Sequence, residues 1–188
     1  MSYYENRPNA INYIKMAEGY DGAVLIAVLK QHLAAGSTVL ELGMGPGTDV
    51  DLLAQTYKVT GSDYAQSFLD IYRAAHPNAD LLQLDAEAID TERTFNCIYS
   101  NKVLHQLTKE SLRASLARQH AVLTSGGLLM HSFWYGDESG EQSGIHYEYY
   151  TEETLLGLIG DRFEVVTSAH YAEMGAEDSF YILLRKLD

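Results

Sequence analysis

Three glycines at alternate positions follow a short apolar segment and precede a helical segment, and this arrangement can bind a nucleotide. Gly43, Gly45 and Gly47 come directly after Thr38–Leu42, an apolar run that predicts a buried strand. Glycines let the main chain turn sharply and let a ligand approach it closely. The helix N-terminus that follows adds unpaired N–H groups and a partial positive charge. Glu41 places an acid beside the turn.

Two common nucleotide-binding patterns do not fit this turn. A dinucleotide fingerprint G-x-G-x-x-G/A that begins at Gly43 meets Thr48 where the third glycine or alanine is required. A phosphate-binding loop needs a Gly-Lys pair, which the sequence lacks. The carboxylate of Glu41 would repel a pyrophosphate, but it can accept a hydrogen bond from an ammonium group. A ligand with an amino-acid tail and without phosphate therefore fits the turn better.

The segment resembles motif I of the class I S-adenosylmethionine-dependent methyltransferases, E/D-x-G-x-G-x-G. The four specified positions of this motif are filled by Glu41, Gly43, Gly45 and Gly47. The resemblance implies S-adenosylmethionine as cofactor, S-adenosylhomocysteine as product and methyl transfer to a small-molecule acceptor. An ordinary glycine turn in another α/β protein is the alternative interpretation.

Two further acids end predicted strands. Asp63 comes about twenty residues after the first glycine, where such folds place an acid against ribose hydroxyls, although a helix N-cap is an alternative role for it. Tyr64 follows Asp63 and is a further candidate cofactor-binding residue. A third strand is predicted over residues 81–87, and the resemblance implies that Asp85 meets the adenine amino group and that the main chain of Ala86 reads the ring.

A fourth strand, residues 95–101, and the residues after it resemble the family segment F-D-x-I-x-S-N-x-x-L-H-H-L. The resemblance adds Ser100 and Asn101 to the expected cofactor-binding residues. Asn96 replaces the usual aspartate, a change at the strand entry. Gln106 replaces a common second histidine, which argues against a mechanism with two adjacent histidines.

His105 is the candidate proton acceptor or substrate-positioning residue, because the ordinary pKa of histidine lies near neutrality. A structural hydrogen bond at the start of a helix is the alternative role for it. Tyr20 is a candidate cofactor contact, and Tyr13, Trp134 and Tyr147 are candidate substrate contacts, since aromatic walls suit both a cationic sulfonium and an apolar acceptor. Ordinary packing is the alternative for each tyrosine.

Composition restricts the partners. The chain has 188 residues and a formal net charge of -13, without a basic cluster, so nucleic acids and anionic membrane surfaces are poor partners. No run of about 18 apolar residues predicts a membrane span. The single cysteine, Cys97, excludes an internal disulfide and favours the cytoplasm. No histidine spacing typical of a metal site is present, so no metal is predicted.

Alternating strands and helices predict an α/β fold with a mostly parallel sheet covered by helices on both faces. With two final strands that form a C-terminal antiparallel hairpin, this is the doubly wound, Rossmann-like methyltransferase fold with a seven-stranded sheet. We expect a single domain over residues 1–188, with a helical cap at 1–35, a core at 36–188 and an irregular lid at 135–150. No pattern indicates the oligomeric state.

Two other functions are compatible with the sequence. An NAD-linked oxidoreductase shares the fold, but Thr48 and Glu41 argue against it. A catalytically inactive, S-adenosylmethionine-binding regulatory protein is the second, because the expected binding residues are clearer than the catalytic ones.

Overall fold

A seven-stranded sheet forms the centre of the computed structural model, which describes residues 3–142 and 144–188. Its strands run in the order β3-β2-β1-β4-β5-β9-β8, and a separate two-stranded sheet contains β6 and β7. The strands are β1 Thr38–Leu42, β2 Lys58–Asp63, β3 Leu81–Gln83, β4 Phe95–Asn101, β5 Leu123–Trp134, β6 Ser139–Gln142, β7 Ile145–Glu148, β8 Phe163–Tyr171 and β9 Ser179–Lys186.

The first five strands pair in parallel, and β9 lies antiparallel between β5 and β8. This arrangement confirms the predicted doubly wound sheet with a C-terminal antiparallel hairpin. Because the chain crosses from β1 outward to β3 and then returns to β4, the carboxyl ends of β1 and β4 border the point where the strand order reverses. Ligands of such sheets bind in the crevice at this point.

Two apolar cores cover the two faces of the sheet. Along β1, Leu40 faces the core shared with the fifth and sixth helices, whereas Val39 faces the core shared with the second and third. This alternation follows from the two-residue period of a strand. The helices are α1 Arg7–Met16, α2 Ala23–Leu29, α3 Thr48–Ala54, α4 Gln66–Ala75, α5 Lys109–Val122 and α6 Glu152–Ile159.

The N-terminal segment packs on α4 through a small aromatic cluster. Ala10 of α1 is completely buried against Phe68 of α4, and the rings of Tyr4 and Tyr13 pack on the same phenylalanine. The Ser67 hydroxyl donates a hydrogen bond to the Tyr4 carbonyl oxygen. The cap is thereby fixed beside the carboxyl end of β2.

Three local predictions were wrong. The predicted irregular lid contains the antiparallel pair β6–β7, because Tyr149 N–H bonds Glu138 and Tyr150 N–H bonds Trp134. Apolar residues at helical spacing predict a helix over 21–35, but α2 ends at Leu29. The strand predicted over 81–87 ends at Gln83, so Asp85 and Ala86 lie in the loop after it.

The sequence pattern after Thr108 predicts a helix that stops at Gly126-Gly127, but α5 ends earlier, at Val122. Leu123 already pairs with Phe95 of β4, and the register shifts before the next pair, Cys97 with Leu128. Gly126 has a φ of +66° within this irregularity. The glycines therefore form a bulge in β5 instead of a helix stop.

Within the described part of the chain, no helix has both the length and the apolar composition needed to cross a membrane.

Candidate functional site

The three glycines of the turn differ in what a side chain would meet. All three have positive φ, of +65° at Gly43, +48° at Gly45 and +87° at Gly47. A Cβ atom at Gly43 would collide with Val103, and one at Gly47 would collide with Tyr72. A Cβ at Gly45 would lie in ordinary contact with the Tyr13 ring, at 3.6 Å. Packing therefore requires two of the glycines, whereas Gly45 faces the space beneath the cap.

Asp63 holds this turn in place. Its Oδ2 accepts the Gly45 N–H at 2.9 Å and its Oδ1 accepts the Ala65 N–H at 2.9 Å. Burial raises the pKa of the Asp63 carboxyl, and the two main-chain hydrogen bonds partly oppose that shift. The predicted ribose acid and the predicted glycine turn are thus directly connected.

Glu41 is a buried acid without a cation beside it. Its side chain is 3% exposed, and its Oε2 has no hydrogen-bond partner among the described residues. Burial raises the pKa of this carboxyl well above its ordinary value, and the neighbouring acids Asp49, Asp63 and Asp51 raise it further. A cationic group from a ligand would satisfy the unpartnered oxygen and offset the repulsion among these carboxylates.

Asp49 joins three segments at the same place. It accepts hydrogen bonds from the Gly22 N–H at 2.7 Å, the Tyr99 hydroxyl at 2.7 Å and the Asn101 amide at 3.1 Å. Asn101 also accepts a hydrogen bond from the Ser132 hydroxyl at 2.6 Å. The local sequence pattern places Asp49 at the start of a helix and gives no sign of these contacts, because the partners lie at distant positions of the chain.

Ser100 begins a buried chain of hydrogen bonds that ends at Ala86. Its hydroxyl bonds Nδ1 of His131 at 2.8 Å, and Nε2 of His131 bonds Oε1 of Gln119 at 2.8 Å. The Gln119 amide donates to Ser115 at 2.9 Å, and Ser115 donates to the Ala86 carbonyl at 2.6 Å. Because Ser100 is fully buried in this chain, a ligand contact from it would use the main chain.

The remaining predicted cofactor residues lie on the accessible side of the site. Asp85 is exposed, and its Oδ1 accepts the Glu87 N–H at 2.8 Å. Tyr64 and Tyr20 are half exposed. The Gln83 amide donates to the Tyr64 carbonyl at 3.1 Å, which links the loops after β2 and β3.

A cavity of about 810 Å³ lies between the cap, the 3-10 turn Leu104–Gln106 and the β6–β7 hairpin. Its walls include five residues that the sequence analysis named as candidate substrate or cofactor contacts. They are Tyr13 and Tyr20 of the cap, His105 of the 3-10 turn, Trp134 of β5 and Tyr147 of β7. The structure therefore brings these residues together around one space.

His105 lies in a more apolar setting than sequence reasoning assumed. Burial, together with the nearby Lys102 and His146, lowers its pKa to about 4. Its Nδ1 has no hydrogen-bond partner among the described residues. The sequence analysis assumed that His105 has a pKa near neutrality, and this assumption was wrong. With the lowered pKa, the imidazole is neutral at pH 7 and is a weak base. It is suited to accepting a hydrogen bond from an acceptor molecule.

His146 was missed as a partner of His105, because 40 residues of sequence separate them and only the hairpin brings them together. Nε2 of His146 lies 3.6 Å from Oε2 of Glu148. The other oxygen of Glu148 lies 2.7 Å from Nζ of Lys109. A second histidine thus reaches the cavity from the hairpin although Gln106 replaces the adjacent one.

Lys102 is the second residue that sequence reasoning passed over. Its φ is +55°, and its ammonium lies 3.6 Å from the centre of the Trp134 ring and 3.6 Å from Oε2 of Glu173. It also donates to Ser179 and to the Phe133 carbonyl. Burial lowers the pKa of Lys102 and the nearby Glu173 partly opposes this shift, so that the pKa is about 8.

Among the residues that the structure describes, no group of three or more histidine, cysteine, aspartate or glutamate side chains is arranged to hold a metal ion.

The sheet order, the glycine turn and the strand-end acids are similar to those of class I S-adenosylmethionine-dependent methyltransferase domains. Residues 39–127 match a family model described as a methyltransferase domain. The chain is 30% identical over 125 residues to a trans-aconitate 2-methyltransferase of Methylobacterium nodulans, a match covering 64% of this chain and 47% of the relative. It thus spans about half the length of the curated relatives that it matches.

Solved structures share the fold at low identity. The 1,6-didemethyltoxoflavin-N1-methyltransferase of Burkholderia thailandensis superimposes with a TM-score of 0.77 at 22% identity, covering 98% of this chain and 88% of that one. The N-methyltransferase NodS of Bradyrhizobium japonicum superimposes with a TM-score of 0.71 at 18% identity, covering 95% and 99%. At these identities the likeness describes the fold.

Proposed function

We propose that the protein is an S-adenosylmethionine-dependent methyltransferase that acts on a small-molecule acceptor. The observation that carries this proposal is the unpartnered carboxyl oxygen of Glu41, buried beside the glycine turn and close to Asp49 and Asp63. A site with three acids and no cation suits a ligand that carries an ammonium group and no phosphate. The amino-acid tail of S-adenosylmethionine meets that requirement.

The residues around the turn fit the parts of this cofactor. Glu41 would accept hydrogen bonds from its ammonium group, and Asp63 would accept hydrogen bonds from the ribose hydroxyls through its free lone pairs. Asp85 would meet the adenine amino group, and Ala86 would contact the ring through its main chain. The hydrogen-bond chain from Ser100 to the Ala86 carbonyl would hold the adenine loop at a fixed distance from β4.

The cofactor, when bound, supplies a methyl group already activated by a sulfonium. The chain must therefore hold the acceptor in line with that group and exclude water. The aromatic walls of the cavity serve the second task, and the β6–β7 hairpin closes it as a lid. The neutral imidazole of His105 would accept a hydrogen bond from the acceptor and orient its lone pair. Tyr13, Trp134 and Tyr147 would pack against the acceptor, and Tyr20 against the cofactor.

The same observation argues against an NAD-linked oxidoreductase. A pyrophosphate at the turn would lie against Glu41, Asp49 and Asp63, and repulsion would oppose its binding. A binding protein without transfer activity would use the same cofactor residues. A measurement of methyl transfer distinguishes such a protein from an enzyme.

The test is transfer of an isotopically labelled methyl group from S-adenosylmethionine to a panel of small metabolites, with S-adenosylhomocysteine release measured in parallel. We expect transfer to at least one acceptor, and we expect Glu41→Gln to lose about 1.5 to 3 kcal/mol of cofactor binding, the range for a hydrogen bond to a charged group. Glu164→Gln, which removes a surface ion pair with Arg185, is the control and should bind the cofactor normally. Cofactor binding without transfer to any acceptor would indicate the regulatory binding protein.

A further inference from the structure

The charges that line the cavity point to a particular class of acceptor. Lys102 is the only lysine on the walls, and no arginine of the described residues lines them. Its ammonium is already engaged by Glu173, Ser179, the Phe133 carbonyl and the Trp134 ring. Among the described wall residues, no lysine or arginine is therefore left free to pair with an anionic acceptor.

Glu138 adds a negative charge at the hairpin side of the cavity. Its carboxylate accepts the Asp137 N–H and makes no ion pair with the basic residues that the structure describes. Lys102 lies beside Glu173, and His146 lies beside Glu148, so Glu138 is the wall carboxylate without a basic partner among the described residues. Recognition of carboxylates ordinarily uses the paired donors of arginine. A tricarboxylate would find no such donors here and would meet a free carboxylate.

The walls favour a flat molecule with uncharged polar edges. The Trp134 and Tyr149 ring centres lie 6.3 Å apart, and the Tyr149 and Tyr147 ring centres lie 5.6 Å apart, with the rings tilted against each other by 30° and 56°. The three rings therefore form an aromatic cluster on one wall, against which one face of a flat molecule can pack. The amides of Asn12 and Gln106 also line the cavity and can both donate and accept hydrogen bonds. A planar heterocycle would bury one face against the rings and meet amides at its edges.

From these contacts we propose that the cavity binds an uncharged, planar nitrogen acceptor, an aromatic amine or a nitrogen heterocycle, and rejects polycarboxylates. This inference rests on the proposed function. The proposed acceptor differs from the one named in the relatives, which are trans-aconitate 2-methyltransferases, although the sequences are similar.

The chemistry of transfer is consistent with such an acceptor. The nitrogen lone pair forms the bond to the methyl carbon while the carbon–sulfur bond breaks and its electron pair stays on sulfur. When the acceptor is an aromatic amine, the methylated nitrogen, now cationic, passes its N–H proton to the imidazole of His105. When the acceptor is a ring nitrogen without hydrogen, no proton leaves and the product keeps the positive charge. An aromatic amine keeps its lone pair free at pH 7 and needs no strong base, which suits the weakly basic His105. Glu138 and the aromatic faces stabilise the positive charge on nitrogen.

Trp134 provides a direct measure of acceptor binding. It is the only tryptophan of the chain, so a two-dimensional proton–nitrogen NMR spectrum contains a single indole N–H signal from the polypeptide. The protein is saturated with S-adenosylhomocysteine and titrated with 3-aminoquinoline, with quinoline-3-carboxylate and with trans-aconitate. We expect the amine to shift the Trp134 signal saturably. We expect both carboxylates to leave it unmoved at the same concentrations.

Charge reversal at the hairpin provides a matched test. Glu138→Lys should strengthen quinoline-3-carboxylate binding by about tenfold, the effect of a favourable charge contact worth about 1.4 kcal/mol. Glu141→Lys makes the same change on the same hairpin at an exposed position outside the cavity walls, and it should leave the binding of both quinolines unchanged.

The outcomes separate the two proposals. Failure of S-adenosylhomocysteine to bind in calorimetry would overturn the proposed function. Normal S-adenosylhomocysteine binding together with tighter binding of trans-aconitate than of 3-aminoquinoline would overturn only the inference about the acceptor. An equal gain in carboxylate binding in both lysine variants would also overturn it, because the Glu138 charge would then have no local role.

Discussion

Asp63 and Gly45 are joined by a hydrogen bond of 2.9 Å from the glycine N–H to the carboxylate Oδ2. The acid that ends β2 therefore fixes the middle glycine of the turn that follows β1. The two strands are neighbours in parallel register, so their carboxyl ends meet at one edge of the sheet. The same carboxylate also accepts the Ala65 N–H, which fixes the start of the segment leading into α4.

Replacing Asp63 by asparagine should weaken S-adenosylhomocysteine binding by about 1.5 to 3 kcal/mol, because charged hydrogen bonds to the ribose hydroxyls are lost. The side-chain oxygen of asparagine still accepts one main-chain N–H, so the free energy of unfolding should change less. Asp80→Asn is the control, since Asp80 precedes β3 and pairs with Arg93. Calorimetric titration of both variants checks the expectation, and equal affinities would remove Asp63 from the cofactor site.

Gly45→Ala should abolish measurable S-adenosylhomocysteine binding while the protein stays folded. The added methyl group meets only the Tyr13 ring at 3.6 Å, but it fills the space next to the turn where the ligand must lie. Gly126→Ala introduces a side chain at a similar positive φ in open space, far from the site in the β5 bulge. Both variants should lose about 1 kcal/mol of stability from backbone strain. A similar loss of ligand affinity in both would show that strain alone explains the effect.

Binding of S-adenosylhomocysteine should release protons over the pH range in which Glu41 of the free protein is protonated. The pKa of Glu41 in the free protein is raised by burial and by neighbouring acids, and a bound ammonium group would lower it again. Affinity should therefore rise as pH rises through the pKa of the free protein. Calorimetry in buffers of different ionisation enthalpy measures the released protons, and Glu41→Gln should release fewer. Proton uptake by the wild type would contradict this account.

The stability of the fold should fall in acid partly because of His131. Burial lowers the pKa of His131 to about 3, below the ordinary value of 6.5. Between these values the unfolded chain binds a proton that the folded chain does not, so this contribution is complete above pH 6.5 and is lost as pH falls toward 3. Urea unfolding of wild type and His131→Asn should differ in slope by up to about 1.4 kcal/mol per pH unit in this range.

Two comparisons make that measurement specific. Glu41 and Asp63 have raised pKa values and shift stability in the opposite direction, but they are present in both proteins and cancel in the difference. His32→Asn, at an exposed position, should have the wild-type slope. If His131→Asn and wild type show parallel slopes, His131 is not held neutral by the fold.

The sequence was sufficient for the sheet and for the positions of the strand-end residues. Apolar runs followed by glycine or acid identify the ends of β1 and β2, and parallel pairing brings those ends together without further information. The positions of Glu41 and Asp63 could therefore be predicted from local patterns alone, whereas Asp85 lies in the loop after β3 and not at the predicted strand end.

The sequence was insufficient wherever a residue acts through partners far along the chain. Asp49 binds Gly22 and Tyr99, and His146 reaches the cavity only because residues 139–148 form a hairpin. The same limit applies to the pKa of His105, since burial depends on packing that no local pattern reveals. The shortened α5 follows from strand pairing at Leu123, which outweighs the helical pattern of its neighbours.

The most direct test of the cofactor assignment is calorimetric titration of the whole chain with S-adenosylhomocysteine, with NAD titrated under the same conditions. The account predicts saturable binding of S-adenosylhomocysteine to the wild type, no binding to Gly45→Ala, and no heat from NAD beyond dilution. Saturable binding of NAD, or equal binding of S-adenosylhomocysteine to the wild type and Gly45→Ala, would contradict it.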